Sequence, residues 1–135
     1  MKVHHIGYLV KNMEKAKKIF EQLGFEDNSD DGISVYDDYR KIDILFMKNG
    51  DYMIELILPK TEDSVVMDLR KKLGCMPYHM CYEVENIADS INELRKLHFV
   101  IWEEPHEAPA FNNRKVCFLI NSQVGIIELL ENSCS

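Results

Sequence analysis

The chain repeats itself, and a repeat of this length commits it to two similar supersecondary units. His5 to Phe25, HIGYLVKNMEKAKKIFEQLGF, lies without a gap over His79 to Phe99, HMCYEVENIADSINELRKLHF, at an offset of 74 residues, sharing His, Tyr, Val, Asn, Leu and Phe. Further on, YMIELIL (Tyr52 to Leu58) lies over GIIELLE (Gly125 to Glu131) and matches Glu55 to Glu128 at an offset of 73. One residue has slipped, and a hairpin is the expected place. Each half therefore carries a histidine near its start and a glutamate near its end. Two histidines and two glutamates related by duplication point to one metal site.

Local patterns give each copy the same plan. Residues 3–10 alternate, with His5, Gly7 and Leu9 on one face and the oilier Ile6, Tyr8 and Val10 on the other, as a strand requires. Asn12 then caps a helix whose Met13, Ala16, Phe20 and Leu23 recur at helical spacing, and Gly24 supplies its left-handed stop. After an acidic turn, EDNSDDG, strands are expected over 33–36, 42–47 and 52–58, the last two joined by the Lys48-Asn49-Gly50-Asp51 hairpin turn. The module reads βαβββ. A connecting helix is expected over 61–73, with Val65, Val66, Leu69 and Leu73 on one side and Gly74 ending it. The second copy repeats the plan: a strand over 78–84, a helix capped by Asn86 with Ile87, Leu94 and Leu97 inward, and strands near 99–103, 115–120 and 125–131. Between them, EPHEAPAFNN (104–113) reads as a loop bordering a pocket. The expected organisation is one α+β domain over 1–135, with a first module over about 1–60 and a second over about 75–135.

Strand parity carries the site. Ile54, Leu56 and Leu58 share one face and Glu55 takes the other; Ile127 and Leu129 separate from Glu128 in the same way. His5, Glu55, His79 and Glu128 thus fall on faces opposite the helices. A glutamate inside an apolar strand is costly to bury unless its charge is matched, and a divalent cation would match it. A lone strand histidine is ordinarily a hydrogen-bonded core or edge residue, but that account needs two accidents to duplicate in parallel. Arg40-Lys41 over Arg114-Lys115 is a second duplicated pair, read either as strand-edge charge or as Arg40 and Arg114 meeting the anionic end of a substrate.

Bulk properties narrow the classes. With 16 basic and 23 acidic residues the net charge is −7, which repels nucleic-acid backbones. No apolar stretch reaches the length of a membrane span or signal sequence, so an intracellular, cytoplasmic protein is expected. Cys75, Cys81, Cys117 and Cys134 form no CxxC pair and read as reduced thiols.

HIGYLV before an Asn-capped helix, the mid-chain IEL strand, the second start HMCYEV and the final IELLE resemble the vicinal-oxygen-chelate superfamily, and within it the glyoxalase I and methylmalonyl-CoA epimerase branch. The resemblance implies two βαβββ modules forming a cupped eight-stranded mixed sheet, helices outside, around a divalent metal held by His5, Glu55, His79 and Glu128. Nickel is the first expectation, with zinc, cobalt or manganese as alternatives. It further implies that Glu128 moves the substrate proton, with Glu55 as its partner. The expected activity is that of a glyoxalase I-type lyase, isomerising a methylglyoxal-thiol hemithioacetal to a lactoyl thioester, in a protein expected to be a homodimer; the alternative is methylmalonyl-CoA epimerase. Epimerases of the family carry an additional acid just before the third strand, where this chain has Tyr39 beside Asp37 and Asp38; the Asp-Pro-Asp-Gly turn of many glyoxalases is replaced by Asn121-Ser122-Gln123-Val124. Antibiotic-binding relatives generally lose the ligands that this chain keeps. The substrate expected in either enzyme is a small anionic thioester or hemithioacetal.

Overall fold

Helix caps and strand alternation build the same unit in both halves. The computed structural model describes residues 1–29 and 34–133, so Ile33 of the expected strand 33–36, Asp30 to Gly32 of the acidic turn, and Cys134 lie outside the described residues. By contacts the chain divides into two compact units, one of His5–Tyr78 and one of His79–Ser135 with Met1–His4. The fold is α+β, with nine strands in mixed pairing and three α-helices among the described residues.

The first unit holds β1 (Lys2–Leu9) from His5 onward, α1 (Met13–Gln22), β2 (Glu26–Asp27), β3 (Val35–Asp37), β4 (Ile42–Asn49), β5 (Tyr52–Pro59) and α2 (Met67–Leu73). Its strand order is β2, β4, β5, β1, with β3 also on β4; β1 and β5 run parallel and the rest antiparallel. The Asn12 side chain accepts from the Lys15 amide at 3.0 Å, satisfying a donor that the first helical turn leaves open. Met13, Ala16 and Phe20 of α1 pack with Ile6, Tyr8, Val10, Leu45, Met47, Ile54, Leu56 and Leu58. Leu23 is not part of this face: it stands 62% exposed at the helix end.

The second unit holds β6 (Pro77–Val84) from His79 onward, α3 (Ile87–Arg95), β7 (Val100–Ala108), β8 (Arg114–Asn121) and β9 (Gly125–Glu131), in the order β6, β9, β8, β7. Asn86 caps α3 through the Asp89 amide at 2.9 Å, and the Glu131 carboxylate accepts from the Ile87 amide at 2.9 Å, placing negative charge at the helix's positive end. Ile87, Ile91 and Leu94 are buried against Val84, Phe99, Cys117, Leu119, Ile127 and Leu129, while Leu97 is exposed.

Three sequence expectations change. The connecting helix begins at Met67 rather than Thr61, because residues 61–66 are held as turns: Ser64 donates its hydroxyl to the Arg40 carbonyl at 2.8 Å, and Lys41 reaches Asp63 at 2.7 Å. Val65 and Leu73 are consequently exposed. The stretch 104–113 is mostly strand: β7 continues to Ala108, followed by a short 3-10 turn over Pro109–Phe111. Its ladder to β8 shifts register between Ile101 and Glu103 and again between Glu103 and His106, so Pro105 sits at an irregularity of an outer strand where no amide is required. In the first unit the corresponding outer strand is broken into β2 and β3, which is why nine strands appear where eight were expected.

The slip between the copies also has a different anatomy. The offset is 74 at the histidines, 72 at β4 and β8, and 73 at the glutamates. The second hairpin is in fact the longer one, with Ser122-Gln123-Val124 against Gly50-Asp51, and the shortening lies before it.

Candidate metal-binding half-sites

In each unit the strand that leads into the helix supplies a histidine, and the neighbouring parallel strand supplies a glutamate. His5 on β1 and Glu55 on β5 are both buried, with Nε2 and Oε1 3.4 Å apart. His79 on β6 and Glu128 on β9 repeat this at 3.2 Å, again buried. Both pairs lie on the face turned away from the helix, as parity requires, since Leu56 and Leu129 next to the glutamates belong to the helix-side cores. The residue directly across the parallel ladder from each glutamate is small, Gly7 opposite Glu55 and Cys81 opposite Glu128.

The donor set suits a cation of intermediate hardness. Imidazole nitrogen and carboxylate oxygen bind first-row divalent metals. Two such atoms bound to one ion at about 2.0–2.2 Å lie about 3 to 3.5 Å apart for ordinary coordination angles, the separation found in each pair. Each His–Glu pair therefore has the chemistry and spacing of two neighbouring ligands.

A third member of each half-site was hidden in the sequence. Phe46 on β4 pairs in register with Glu55 and meets the His5 ring edge to face, with centroids 5.7 Å apart and planes at 76°. Phe118 on β8 pairs with Glu128 and meets His79 at 5.2 Å and 86°. Their offset of 72 escapes an overlay at 74 or 73; aligning ILFMKN (44–49) with VCFLIN (116–121) recovers them. The same alignment recovers Asn49 and Asn121, whose side-chain amides donate to the carbonyls of Leu23 and Leu97, just past the ends of α1 and α3, at 3.3 and 2.9 Å.

The arginines prove less alike than their sequence overlay. Arg114 opens β8, whereas Arg40 lies in the turn before β4, and by strand register the counterpart of Arg114 is Ile42. Arg40 is only 3% exposed; its amide donates to Asp37 at 3.0 Å and its guanidinium to the Tyr78 hydroxyl at 3.3 Å. Arg114 is half-buried, donating to the Glu131 carbonyl at 2.8 Å and to the Glu83 carboxylate at 3.4 Å. Asp37, which β3 pairs with Ile42, is also buried, while Tyr39 is exposed. Cys117 lies in the helix-side core, where burial, reinforced by the charges of Glu104 and Glu103, pushes its thiol up to about 12; it is no nucleophile at neutral pH. His106 lies on β7 with Nδ1 3.1 Å from the Glu104 carbonyl, and exposed His98 adopts the left-handed conformation that Gly24 takes in the first copy. No helix among the described residues is long and apolar enough to cross a membrane.

Known proteins share this architecture. A hypothetical protein from Bacillus halodurans superposes with a TM-score of 0.83 at 22% identity, over 99% of this chain and 96% of its own. Methylmalonyl-CoA epimerase from Mycobacterium tuberculosis gives 0.82 at 19% identity, over 98% of this chain and 89% of its own. A Streptomyces coelicolor methylmalonyl-CoA epimerase variant in complex with 2-nitronate-propionyl-CoA gives 0.82 at 15%, over 99% of both chains. No curated protein matches in sequence. The family model described as Glyoxalase/Bleomycin resistance protein/Dioxygenase superfamily matches residues 4–118, and the chain belongs to that superfamily.

Proposed function

We propose that the chain is a divalent-metal-dependent enzyme that moves a proton on the carbon beside a thioester carbonyl, acting on a 2-substituted acyl-CoA of the methylmalonyl-CoA type. The observation that carries this reading is the duplicated buried His–Glu pair, His5 with Glu55 and His79 with Glu128. In this proposal the four side chains are the ligands of one ion. A divalent ion bound there would polarise the carbonyl oxygen and offset the negative charge that develops when the adjacent carbon loses its proton. Glu128 takes that proton, and Glu55 serves as the second carrier, which epimerisation needs because the proton must return to the opposite face. Arg114, the less buried arginine, is assigned to the negative end of the substrate.

The choice of an acyl-CoA over the hemithioacetal expected from sequence is supported by the epimerases among the structural relatives, one of them in complex with methylmalonyl-CoA. The glyoxalase I-type reading keeps one support, which rests on the family resemblance: by that motif Tyr39, exposed and flanked by Asp37 and Asp38, falls at the place of the epimerases' additional acid, so that acid is either shifted or absent. Nickel and cobalt loading, followed by assay of methylmalonyl-CoA in deuterated water beside the glutathione hemithioacetal of methylglyoxal, separates the two. Epimerisation with deuterium incorporation is the expected outcome. Turnover of the hemithioacetal alone would transfer the assignment to the lyase, and a chain that retains no divalent metal after loading and dialysis would remove both.

A further inference from the structure

We propose that Phe46 and Phe118 are positioning residues that fix the planes of the two ligand imidazoles, His5 and His79. The inference rests on the metal reading above and concerns each half-site by itself. The terminal torsion of a histidine is broad, so burial on a strand does not by itself decide where Nε2 points. A flat neighbour standing perpendicular to the ring does decide it, because aromatic pairs prefer the edge-to-face arrangement and a turned imidazole loses it.

Both units build that neighbour from the same place. The phenylalanine comes from the strand on the far side of the glutamate strand, at the register position opposite the glutamate itself. Phenylalanine and histidine thus converge from two flanking strands, at 76° in one unit and 86° in the other, with Nε2 left facing the carboxylate. The recurrence is independent of the simple sequence overlay, since loop lengths have drifted between histidine and phenylalanine while the triad has kept its form. Phe118 is fully buried, and Trp102 packs edge to face on its ring at 6.0 Å, bracing it in turn.

The test uses the full chain and cobalt(II), whose visible spectrum reports ligand geometry. Phe46→Leu and Phe118→Leu are each expected to weaken cobalt binding about tenfold, the effect typical of a lost orienting partner, and to shift the absorption bands. Phe46→Tyr, which keeps the ring at a half-buried position, is expected to bind as wild type. Leu119→Ala, beside Phe118 but in the helix-side core, controls for destabilisation and should leave cobalt affinity unchanged in the folded protein. Wild-type binding with unaltered affinity and spectra in both Leu variants would overturn this inference alone, as would equal weakening by Leu119→Ala. A wild-type chain that binds no cobalt removes the metal reading and this inference together.

Discussion

The two units agree on their open faces and differ at their edges and in how firmly they hold their helices. Histidine, glutamate and phenylalanine occur at matching strand positions in both, and so does the asparagine that ties the helix end to the hairpin. Outside this shared frame, α3 buries three side chains in its core whereas α1 buries none fully. The outer strand is continuous and bulged in the second unit and split in the first. Copies that drift in loop length and helix packing yet keep one triad locate the constraint at the triad. What distinguishes them are β7 and the Asp37–Arg40 turn.

The comparison can be broken most directly at the glutamates. If Glu128 takes the proton and Glu55 returns it to the opposite face, Glu128→Gln should lower exchange of the substrate's proton with deuterated water about a thousandfold while retaining metal, within the usual range for a lost acid–base group, whereas Glu55→Gln should lower epimerisation by a similar factor and leave that exchange largely intact. Equal losses of exchange measured under matched metal content would make the two halves chemically equivalent. The helices offer a smaller contrast. Leu94→Ala in α3 should cost about 2–4 kcal/mol in urea unfolding, whereas Ile19→Ala on the exposed side of α1 should stay within about 0.5 kcal/mol. A large loss at Ile19 would contradict the loose seating of α1. The smallest effect tests the likeness: Asn12→Ala and Asn86→Ala should each cost about 1 kcal/mol, and a difference of more than about that amount between them would show that the caps have diverged in weight.

What the sequence revealed follows from which signals are local. The caps at Asn12 and Asn86, the stop at Gly24 and the faces of Glu55 and Glu128 depend on neighbours a few residues away, and alternation exposes them. Leu23 and Leu97 misled because helical spacing continues to the last turn after the helix has left its sheet. The 61–66 turns depend on Arg40 and Lys41, some twenty residues distant, which periodicity does not register. Proline in 104–113 signalled a loop because its local meaning is interruption, while an outer strand with shifted register accommodates it. Phe46 and Phe118 read as ordinary core residues until strand register brought each against a histidine.

The bulges of β7 have a consequence beyond its own unit's geometry. Chains built from similar modules run the risk of pairing with the wrong copy, since every outer strand resembles a place where another could add. Here one outer strand carries a proline, two register shifts and the exposed charges of Glu104 and Glu107, and the other is reduced to fragments of two and three residues. Among the described residues neither presents an unbroken row of amide donors, so irregularity at the margins works against edge-to-edge aggregation while the interior strands stay regular.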